Sequence, residues 1–271
     1  MRIIRFFDEN NRMQYGHEYY DNTATLLEGE LLDGLHDTGH KVRVKKLLAP
    51  LQPAAILCIG FNYRRHADET GLKLPKYPAL FMKNPAALNH PGDPIVLPPS
   101  CLDPPQVDYE AELAVVTGKS AKDVPAAKAL DYVAGYTIAN DVSARRWQKH
   151  AGAGQWVRGK SFDTFCPLGP VLVTPDEIFN PQTLQIKCVL NGKVMQDANT
   201  SDMIFSVARI IEYLSGSMTL LPGTVILTGT PSGVGYARKP AVYLKHGDVI
   251  ETIIDRIGTL TSPVVSGAKI A

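Results

Sequence analysis

The chain has 271 residues, of which 45% are hydrophobic and 20% are charged. This composition excludes bulk disorder, and the formal net charge of +1 provides no general attraction to nucleic acid or to an anionic membrane. No apolar run approaches the ~20 residues that a membrane-spanning helix needs. The four cysteines form no Cys-x-x-Cys pair, and the first ten residues lack the uninterrupted apolar centre of a secretion signal. We therefore expect a cytoplasmic protein with one large core.

Short strands and turns are predicted for the first part of the chain. Arg2–Phe7 is a predicted strand, and residues 42–48 alternate between charged and apolar side chains. At Ala55–Gly60 the pattern changes to a continuous apolar run that a glycine ends, which is typical of a buried strand. We therefore expect a small accessory β domain at 1–52 and a main domain at 53–271.

The main domain is predicted to be an α+β fold rich in strands. Asn62 follows the first strand and is expected to cap a short helix. Asn191-Gly192 predicts a hairpin turn, because type I′ turns require positive φ at both central residues. Helical spacing of apolar residues occurs at 126–130 and 202–215. Further strands are predicted at 111–116, 132–139, 171–174, 184–190, 225–228 and 249–254.

Two carboxylates occupy alternate positions in one predicted strand. Glu110 and Glu112 share a face there, while Ala111 and Leu113 point the other way. Two carboxylates on a buried face repel each other unless a divalent cation lies between them. A solvent-facing edge strand is the competing interpretation of the same pattern.

A third carboxylate, Asp141, directly follows the strand predicted at 132–139. It lies where loops tend to present ligands, although it could equally cap a following helix at 142–150. Together with Glu110 and Glu112 it would provide an all-oxygen ligand set. Such a set favours Mg²⁺, Mn²⁺ or Ca²⁺ over Zn²⁺.

Two further segments carry candidate site residues. Lys160 lies between glycine and serine in a loop-like run rather than on a charged helical face, although a solvated lysine is the common alternative. The stretch Leu227-Thr-Gly-Thr-Pro-Ser-Gly-Val-Gly235 ends an apolar strand in a turn whose N–H groups suit an anion. It lacks the spacing of a nucleotide-binding loop.

These motifs together resemble the fumarylacetoacetate hydrolase family over roughly residues 55–265. The resemblance depends on Gly60-Phe-Asn-Tyr-Arg-Arg-His-Ala-Asp-Glu69, Asp108-Tyr-Glu-Ala-Glu-Leu113, Asn140-Asp-Val-Ser-Ala-Arg145, Gly159-Lys-Ser-Phe-Asp-Thr-Phe-Cys-Pro-Leu-Gly-Pro170 and the Leu227 to Gly235 stretch. It implies a mixed β-sandwich or β-roll core, a homodimer, and one Mg²⁺ or Mn²⁺ per subunit. The implied metal ligands are Glu110, Glu112 and Asp141.

The resemblance also implies roles for residues around the metal. Lys160 would lie near the ion, Thr230 would face the substrate, and Gln148 would contact the substrate or a water molecule. Arg145 is a candidate for the substrate carboxylate, as are Arg64, Arg65 and Lys83, and it is also a candidate for a structural ion pair.

His66 and Glu69 are the candidate general base and its partner. A spacing of three places both on one face of a short helix, where Glu69 would raise the basicity of His66. An isolated pair with this spacing is common on protein surfaces. The resemblance implies instead a catalytic pair on a lid, as in hydrolytic and decarboxylating members of the family.

The sequence thus predicts a metal-dependent hydrolase that cleaves a C–C bond in a 2,4-dioxo acid of the acylpyruvate or fumarylpyruvate type. The metal and Lys160 would stabilise the enolate that leaves. The same electrostatic site fits an oxaloacetate decarboxylase, or an isomerase (tautomerase) acting on oxaloacetate or a 2-hydroxy-diene-dioate. A non-catalytic metal-dependent binding protein is the further alternative. The expected partners are a small 2-oxo acid and a second copy of the chain.

Overall fold

The computed structural model of the protein describes residues 1–71, 73–150 and 153–268. It confirms an α+β fold rich in strands. The strands, numbered in chain order, are β1 (Arg2–Phe7), β2 (Met13–Tyr20), β3 (Thr23–Glu30), β4 (Gly34–Arg43), β5 (Lys46–Leu48), β6 (Ala55–Gly60), β7 (Ala79–Lys83), β8 (Leu88–Asn89), β9 (Ile95–Leu97), β10 (Val107–Asp108), β11 (Ala111–Thr117), β12 (Val133–Asn140), β13 (Ser143–Ala144), β14 (Cys166–Val173), β15 (Gln185–Leu190), β16 (Lys193–Asn199), β17 (Thr224–Leu227), β18 (Val249–Ile254) and β19 (Gly258–Ser266).

The helices are short and lie between the strands. The α-helices are α1 (Arg64–Thr70), α2 (Arg145–Lys149), α3 (Val157–Lys160) and α4 (Val207–Ser217). Single turns of 3-10 helix occur at Pro85–Ala87, Pro99–Cys101, Pro181–Thr183, Thr200–Asp202 and Gly235–Ala237, and a longer one at Ala126–Tyr132. Within the described ranges, no helix has the length and apolar character needed to cross a membrane.

The strands form one large mixed sheet, a five-stranded sheet and a two-stranded sheet. The large sheet has the order β4-β3-β2-β1-β14-β12-β11-β17-β6-β7, and β5 and β8 pair beside that path. The second sheet has the order β16-β15-β18-β19-β9, and β10 pairs with β13. Strand β1 joins the first five strands to the rest by pairing with β14. The boundary between residues 52 and 53 stays a prediction.

Strand β11 runs through the centre of the large sheet and is buried on both faces. Leu113 and Val115 belong to one hydrophobic cluster, while Ala114 and Val116 belong to the other. This period of two follows from the pleat of a strand, which directs successive side chains to opposite faces. The even-numbered residues of β11 therefore lie on one face of the sheet, as the sequence predicted.

Three strands of the large sheet have their carboxyl ends at the same end of the sheet. Strand β11 is antiparallel to both β12 and β17, and β17 is parallel to β6. The carboxyl ends of β6, β12 and β17 therefore lie beside the start of β11. The segments that follow these three ends carry His66, Asp141 and Thr230, which the sequence alone left far apart.

Two local predictions are wrong in their details. The N-cap of α1 is Tyr63, not Asn62, and no side chain caps this helix. The Asn62 amide instead donates to the carbonyl oxygens of Thr228 and Phe205, so it joins β6 to β17. Helix α4 begins at Val207 rather than at residue 202, because the Ser206 hydroxyl caps it.

Candidate active site

Glu110, Glu112 and Asp141 meet at the end of the β11–β12 ladder. The N–H of Asp141 donates to the carbonyl of Glu110 over 2.9 Å, and the N–H of Glu110 donates to Asn140 Oδ1 over 3.0 Å. One carboxylate oxygen from each acid lies within 4.8 Å of the other two. The structure therefore brings together the three acids that the sequence singled out.

All three carboxylates are buried, with exposed fractions of 6% for Glu110, 2% for Glu112 and 0% for Asp141. A solvent-facing edge strand is thereby excluded. The helix-cap interpretation of Asp141 is also wrong, because the N-cap of α2 is Ala144 and uses no side chain. The Asp141 side chain is instead held by lysines.

Lys160 bridges two of the acids. Its Nζ donates to Glu110 Oε2 and to Asp141 Oδ2, each over 2.6 Å. The residue is 1% exposed, so the solvated alternative is wrong. Helix α3 places it there, because Gly159 lets that helix contact the backbone of Gln148 more closely than a Cβ would allow.

The charges of the site are unevenly compensated. Burial would raise the pKa of Glu110, but Lys160 and Arg145 outweigh burial and lower it. Burial raises the pKa of Glu112 well above its usual range, and the carboxylates of Asp141 and Glu110 add to the rise. Among the described ion pairs none includes Glu112. Glu112 is therefore the carboxylate of the cluster whose negative charge is least compensated by the described residues.

Residues after β17 complete the floor of the site. The N–H of Gly229 donates to Glu112 Oε2 over 2.6 Å. The Thr230 hydroxyl donates to the carbonyl of Ala111 over 3.0 Å and accepts from Gln196 Nε2 over 2.8 Å. The predicted substrate contact of Thr230 stays a prediction, although the residue lines the cavity described below.

His66 and Glu69 form the pair that their spacing predicts. His66 Nδ1 lies 3.1 Å from Glu69 Oε2, and His66 is 4% exposed. Burial alone would raise the pKa of Glu69, but hydrogen bonds from His66 and from the N–H of Gly233 lower it. The hydrogen bond from Gly233 joins α1 to the segment after β17. The pair thus differs from an isolated surface pair, because His66 is buried and both residues line a cavity.

Arg145 forms the structural ion pair that the sequence left open. Its Nε donates to Asp108 Oδ2 over 2.8 Å, and its Nη1 lies 2.7 Å from Glu110 Oε1. Nη1 also donates to Gln148 Oε1 over 3.0 Å. Asp108 in turn accepts hydrogen bonds from the backbone N–H groups of Gly235 and Tyr236. Substrate contacts by Arg145 and Gln148 stay predictions.

A cavity of about 380 Å³ lies beside the carboxylate cluster and is lined by Glu110 and Glu112. Phe61, Phe81 and Trp156 form an apolar wall, with ring centroids 5.3 Å and 5.1 Å apart between Trp156 and the two phenylalanines. Its lining residues are Ile59, Gly60, Phe61, His66, Glu69, Phe81, Glu110, Glu112, Arg145, Gln148, Lys149, Trp156, Lys160, Thr230, Tyr236 and Ala237.

Sequence analysis missed several residues of the site. Lys83 was a candidate for the substrate carboxylate, but its Nζ is buried 2.5 Å from Asp141 Oδ1. Asp108 was quoted only as part of a motif, and Lys149 and Tyr236 were not singled out. No local pattern marks these residues, because strand pairing and the loop after β17 decide their positions.

The donor set fits a hard divalent cation. It consists of three convergent carboxylates without histidine or cysteine, which suits Mg²⁺ or Mn²⁺. Glu112 is buried without a cationic partner among the described residues, so a bound ion would provide the missing countercharge.

Comparison with known proteins identifies related sequences. Residues 55–265 match the model of the family described as fumarylacetoacetate (FAA) hydrolase C-terminal. The oxaloacetate tautomerase of Xenopus laevis is 49% identical over 220 residues, which are 81% of this chain and 68% of that protein. The family match over residues 55–265 includes the three carboxylates, Lys160 and the His66–Glu69 pair.

Two solved structures with the same fold carry isomerase names. The 5-carboxymethyl-2-hydroxymuconate delta-isomerase of Mycobacterium smegmatis has a TM-score of 0.84 at 37% identity, covering 98% of this chain and 100% of that one. The 2-hydroxyhepta-2,4-diene-1,7-dioate isomerase of Mycobacterium marinum has a TM-score of 0.83 at 40% identity, covering 99% and 100%.

The expected cytoplasmic location is wrong by the same comparison. The Xenopus laevis relative is named as a mitochondrial protein. The prediction from composition was wrong because balanced charge and unpaired cysteines are compatible with both compartments. Neither property specifies the compartment to which a protein is delivered.

Proposed function

Because the chain belongs to the fumarylacetoacetate hydrolase family, we propose that it is a metal-dependent tautomerase that interconverts the enol and keto forms of a 2-oxo dicarboxylic acid. Oxaloacetate is the first candidate substrate. The observation that carries the proposal is a cavity lined by Glu110, Glu112, Lys160 and the His66–Glu69 pair, with the third carboxylate of the cluster, Asp141, buried beside it. Such a site stabilises an enolate and moves one proton.

The names of the relatives favour this reaction over the C–C hydrolysis that the sequence indicated. The Xenopus laevis protein is named an oxaloacetate tautomerase, and the two mycobacterial structures are named isomerases. Both reactions need an enolate, but hydrolysis also needs an activated water. Tautomerisation needs only the enolate and an acid–base group.

The metal would be held by Glu110, Glu112 and Asp141. It would supply Lewis acidity that polarises the 2-oxo group and makes the neighbouring C–H bond acidic. Lys160 holds a positive charge beside Glu110 and Asp141, and the fixed cation stabilises negative charge that develops on a substrate oxygen.

His66 is the group that moves the proton. In the keto-to-enol direction the C3–H bond breaks, its electron pair forms the C2–C3 double bond, and the imidazole takes the proton. The proton then goes to the C2 oxygen, so the reaction neither gains nor loses atoms. Glu69 Oε2 stabilises the protonated ring from 3.1 Å. The wall of Phe61, Phe81 and Trp156 keeps bulk water away from the enolate.

The test follows the loss of the enol absorbance of oxaloacetate. We expect acceleration by the protein with Mg²⁺ or Mn²⁺, and its loss with EDTA. Pyruvate formation from oxaloacetate and the cleavage of an acylpyruvate are measured in parallel. Faster cleavage or decarboxylation than tautomerisation would overturn the proposal, and so would a rate unaffected by EDTA.

Two variants separate metal binding from proton transfer. Glu110→Ala is expected to abolish calorimetric binding of Mn²⁺. His66→Ala should keep Mn²⁺ binding and lose roughly 10²- to 10⁴-fold in tautomerisation rate. The matched control is His36→Ala, since His36 is an exposed histidine on β4. Unchanged tautomerisation by His66→Ala would remove the general base from the mechanism.

A further inference from the structure

Among the described residues, the lysine and arginine side chains that line the cavity are Arg145, Lys149 and Lys160. Arg145 is paired with Asp108 and Glu110, and Lys160 with Glu110 and Asp141. Both are therefore committed to holding the carboxylate cluster. Lys149 differs from them.

Lys149 has no carboxylate partner among the described residues. No described carboxylate oxygen lies within 4.0 Å of its Nζ. Asp108 and Glu110 attract it from farther away, but both are already paired, Asp108 with Arg145 and Glu110 with Arg145 and Lys160. Burial and then repulsion by Arg145 lower the pKa of Lys149 below its usual value. The cavity thus presents a cation whose charge is not compensated locally.

The position of this cation is fixed by the fold. Lys149 is the last residue of α2, and its Nζ lies 3.7 Å from the centroid of the Tyr236 ring. Arg145 lies over the same ring at 4.4 Å. The N–H of Tyr236 donates to Asp108 Oδ2, which also pairs with Arg145, so the backbone of Tyr236 is held beside Arg145. Cation–π contact therefore holds the Lys149 ammonium group at the cavity.

We propose, on the basis of the function above, that Lys149 binds the remote carboxylate of the substrate. The reacting 2-oxo acid end lies at Glu110, Glu112 and Asp141, and the second carboxylate extends to Lys149 beside Tyr236. Lys149 is then the residue that selects dicarboxylates over monocarboxylates. The cavity of about 380 Å³ lies near the lower limit of small-molecule pockets, which suits a small diacid.

A kinetic experiment compares oxaloacetate with its 4-methyl ester, whose remote end is neutral. Lys149→Met keeps an apolar stem against Tyr236 and removes the charge. We expect it to raise KM for oxaloacetate by roughly fivefold, as for one partly exposed ion pair, with kcat unchanged. The ester should show no change, and Lys149→Arg should restore the KM.

The control variant is Arg146→Met. Arg146, like Lys149, is an exposed cation on α2, but it does not line the cavity. It should leave both KM values unchanged, which separates a specific contact from a general loss of positive charge. An equal effect of Lys149→Met on diacid and ester, or no effect on either, would overturn the proposal.

A binding experiment makes the inference independent of turnover. Calorimetry measures malate and lactate binding to the Mg²⁺-loaded protein, because these two acids differ in the remote carboxylate. The wild type should prefer malate, and Lys149→Met should lose that preference. No malate preference in the wild type, or its persistence in the variant, overturns the role of Lys149. A Lys149-dependent preference without tautomerisation would reject only the proposed function.

Discussion

Asp141 is held from two sides by buried lysines. Lys83 Nζ lies 2.5 Å from Oδ1, and Lys160 Nζ lies 2.6 Å from Oδ2. Each lysine is 1% exposed, so neither charge reaches bulk water. Buried pairs of this kind contribute little net stability, but the loss of one partner leaves an uncompensated charge. Lys83 therefore orients an acid of the site without lining the cavity.

Lys83→Met is expected to lower the free energy of unfolding by about 3 kcal/mol, because it removes one partner of buried Asp141. Urea unfolding measures this loss. The matched control is Lys46→Met, since Lys46 pairs with Asp93 over 2.7 Å at the surface. That variant should lose less than about 1 kcal/mol. Equal losses in the two variants would show that burial of the Lys83 pair is unimportant.

Glu69 links stability to pH. Its pKa is lowered in the folded state, although burial opposes the shift, because His66 and the N–H of Gly233 hydrogen-bond to the carboxylate. A lowered folded-state pKa stabilises the fold above the unfolded-state value of about 4.3, and the stabilisation disappears as the pH falls through the folded-state value.

Glu69→Gln should therefore be less stable than the wild type near neutral pH. The difference should shrink as the pH falls below about 4.3, where the carboxylate gains its proton. Urea unfolding at a series of pH values measures it. Glu28→Gln, on the exposed face of β3, is the control and should show no such dependence. A difference that grows towards acid would reverse the sign of the predicted shift.

The loop after β17 is the element on which the site depends. Gly229 holds Glu112 through its N–H, and Gly233 holds Glu69 in the same way. Both have positive φ, of 101° and 100°. A Cβ at Gly229 would lie 2.7 Å from the Cβ of Asn62, and one at Gly233 would overlap the carbonyl oxygen of Met195. The close approach of this loop to the sheet therefore requires glycine.

Gly233→Ala is expected to cost about 1–2 kcal/mol for the positive φ and about a further 1–3 kcal/mol for overlap with Met195. Gly192→Ala is the control, because its φ is also positive, at 77°, and no atom lies within 4 Å of an added Cβ. Gly192→Ala should therefore lose only the stability that the positive φ costs. Thermal unfolding compares the two, and equal losses would contradict the close approach.

The elements themselves were largely predictable from local patterns. Strands β1, β6 and β18 have the predicted bounds. Asn191 and Gly192 have positive φ of 51° and 77°, as a hairpin turn of the predicted type requires. These features depend on neighbouring residues only. The start of α4 was misplaced because Ile204, three residues before Val207, continues the apolar spacing of the helix although it lies outside it.

At the scale of the whole molecule, the homodimer stays a prediction. Strand β7 is an edge of the large sheet and exposes Leu80 and Met82, at 38% and 44%. Such an edge is open to pairing with a second copy. Light scattering should give twice the chain mass of 29.6 kDa. Leu80→Lys should weaken the dimer, whereas Leu221→Lys, at another exposed apolar position, should not. A monomeric wild type would contradict the prediction.

The sequence by itself determined the strand-rich fold, the family and the identity of the candidate ligands Glu110, Glu112 and Asp141. Those features lie in short motifs, where the spacing of a strand or turn carries the information. Only the tertiary structure decided which lysines hold the acids and which cation, among the described residues, lacks a carboxylate partner. Lys83, Lys149 and Lys160 look alike in the sequence, because burial and ion pairing depend on strands and loops that are distant along the chain.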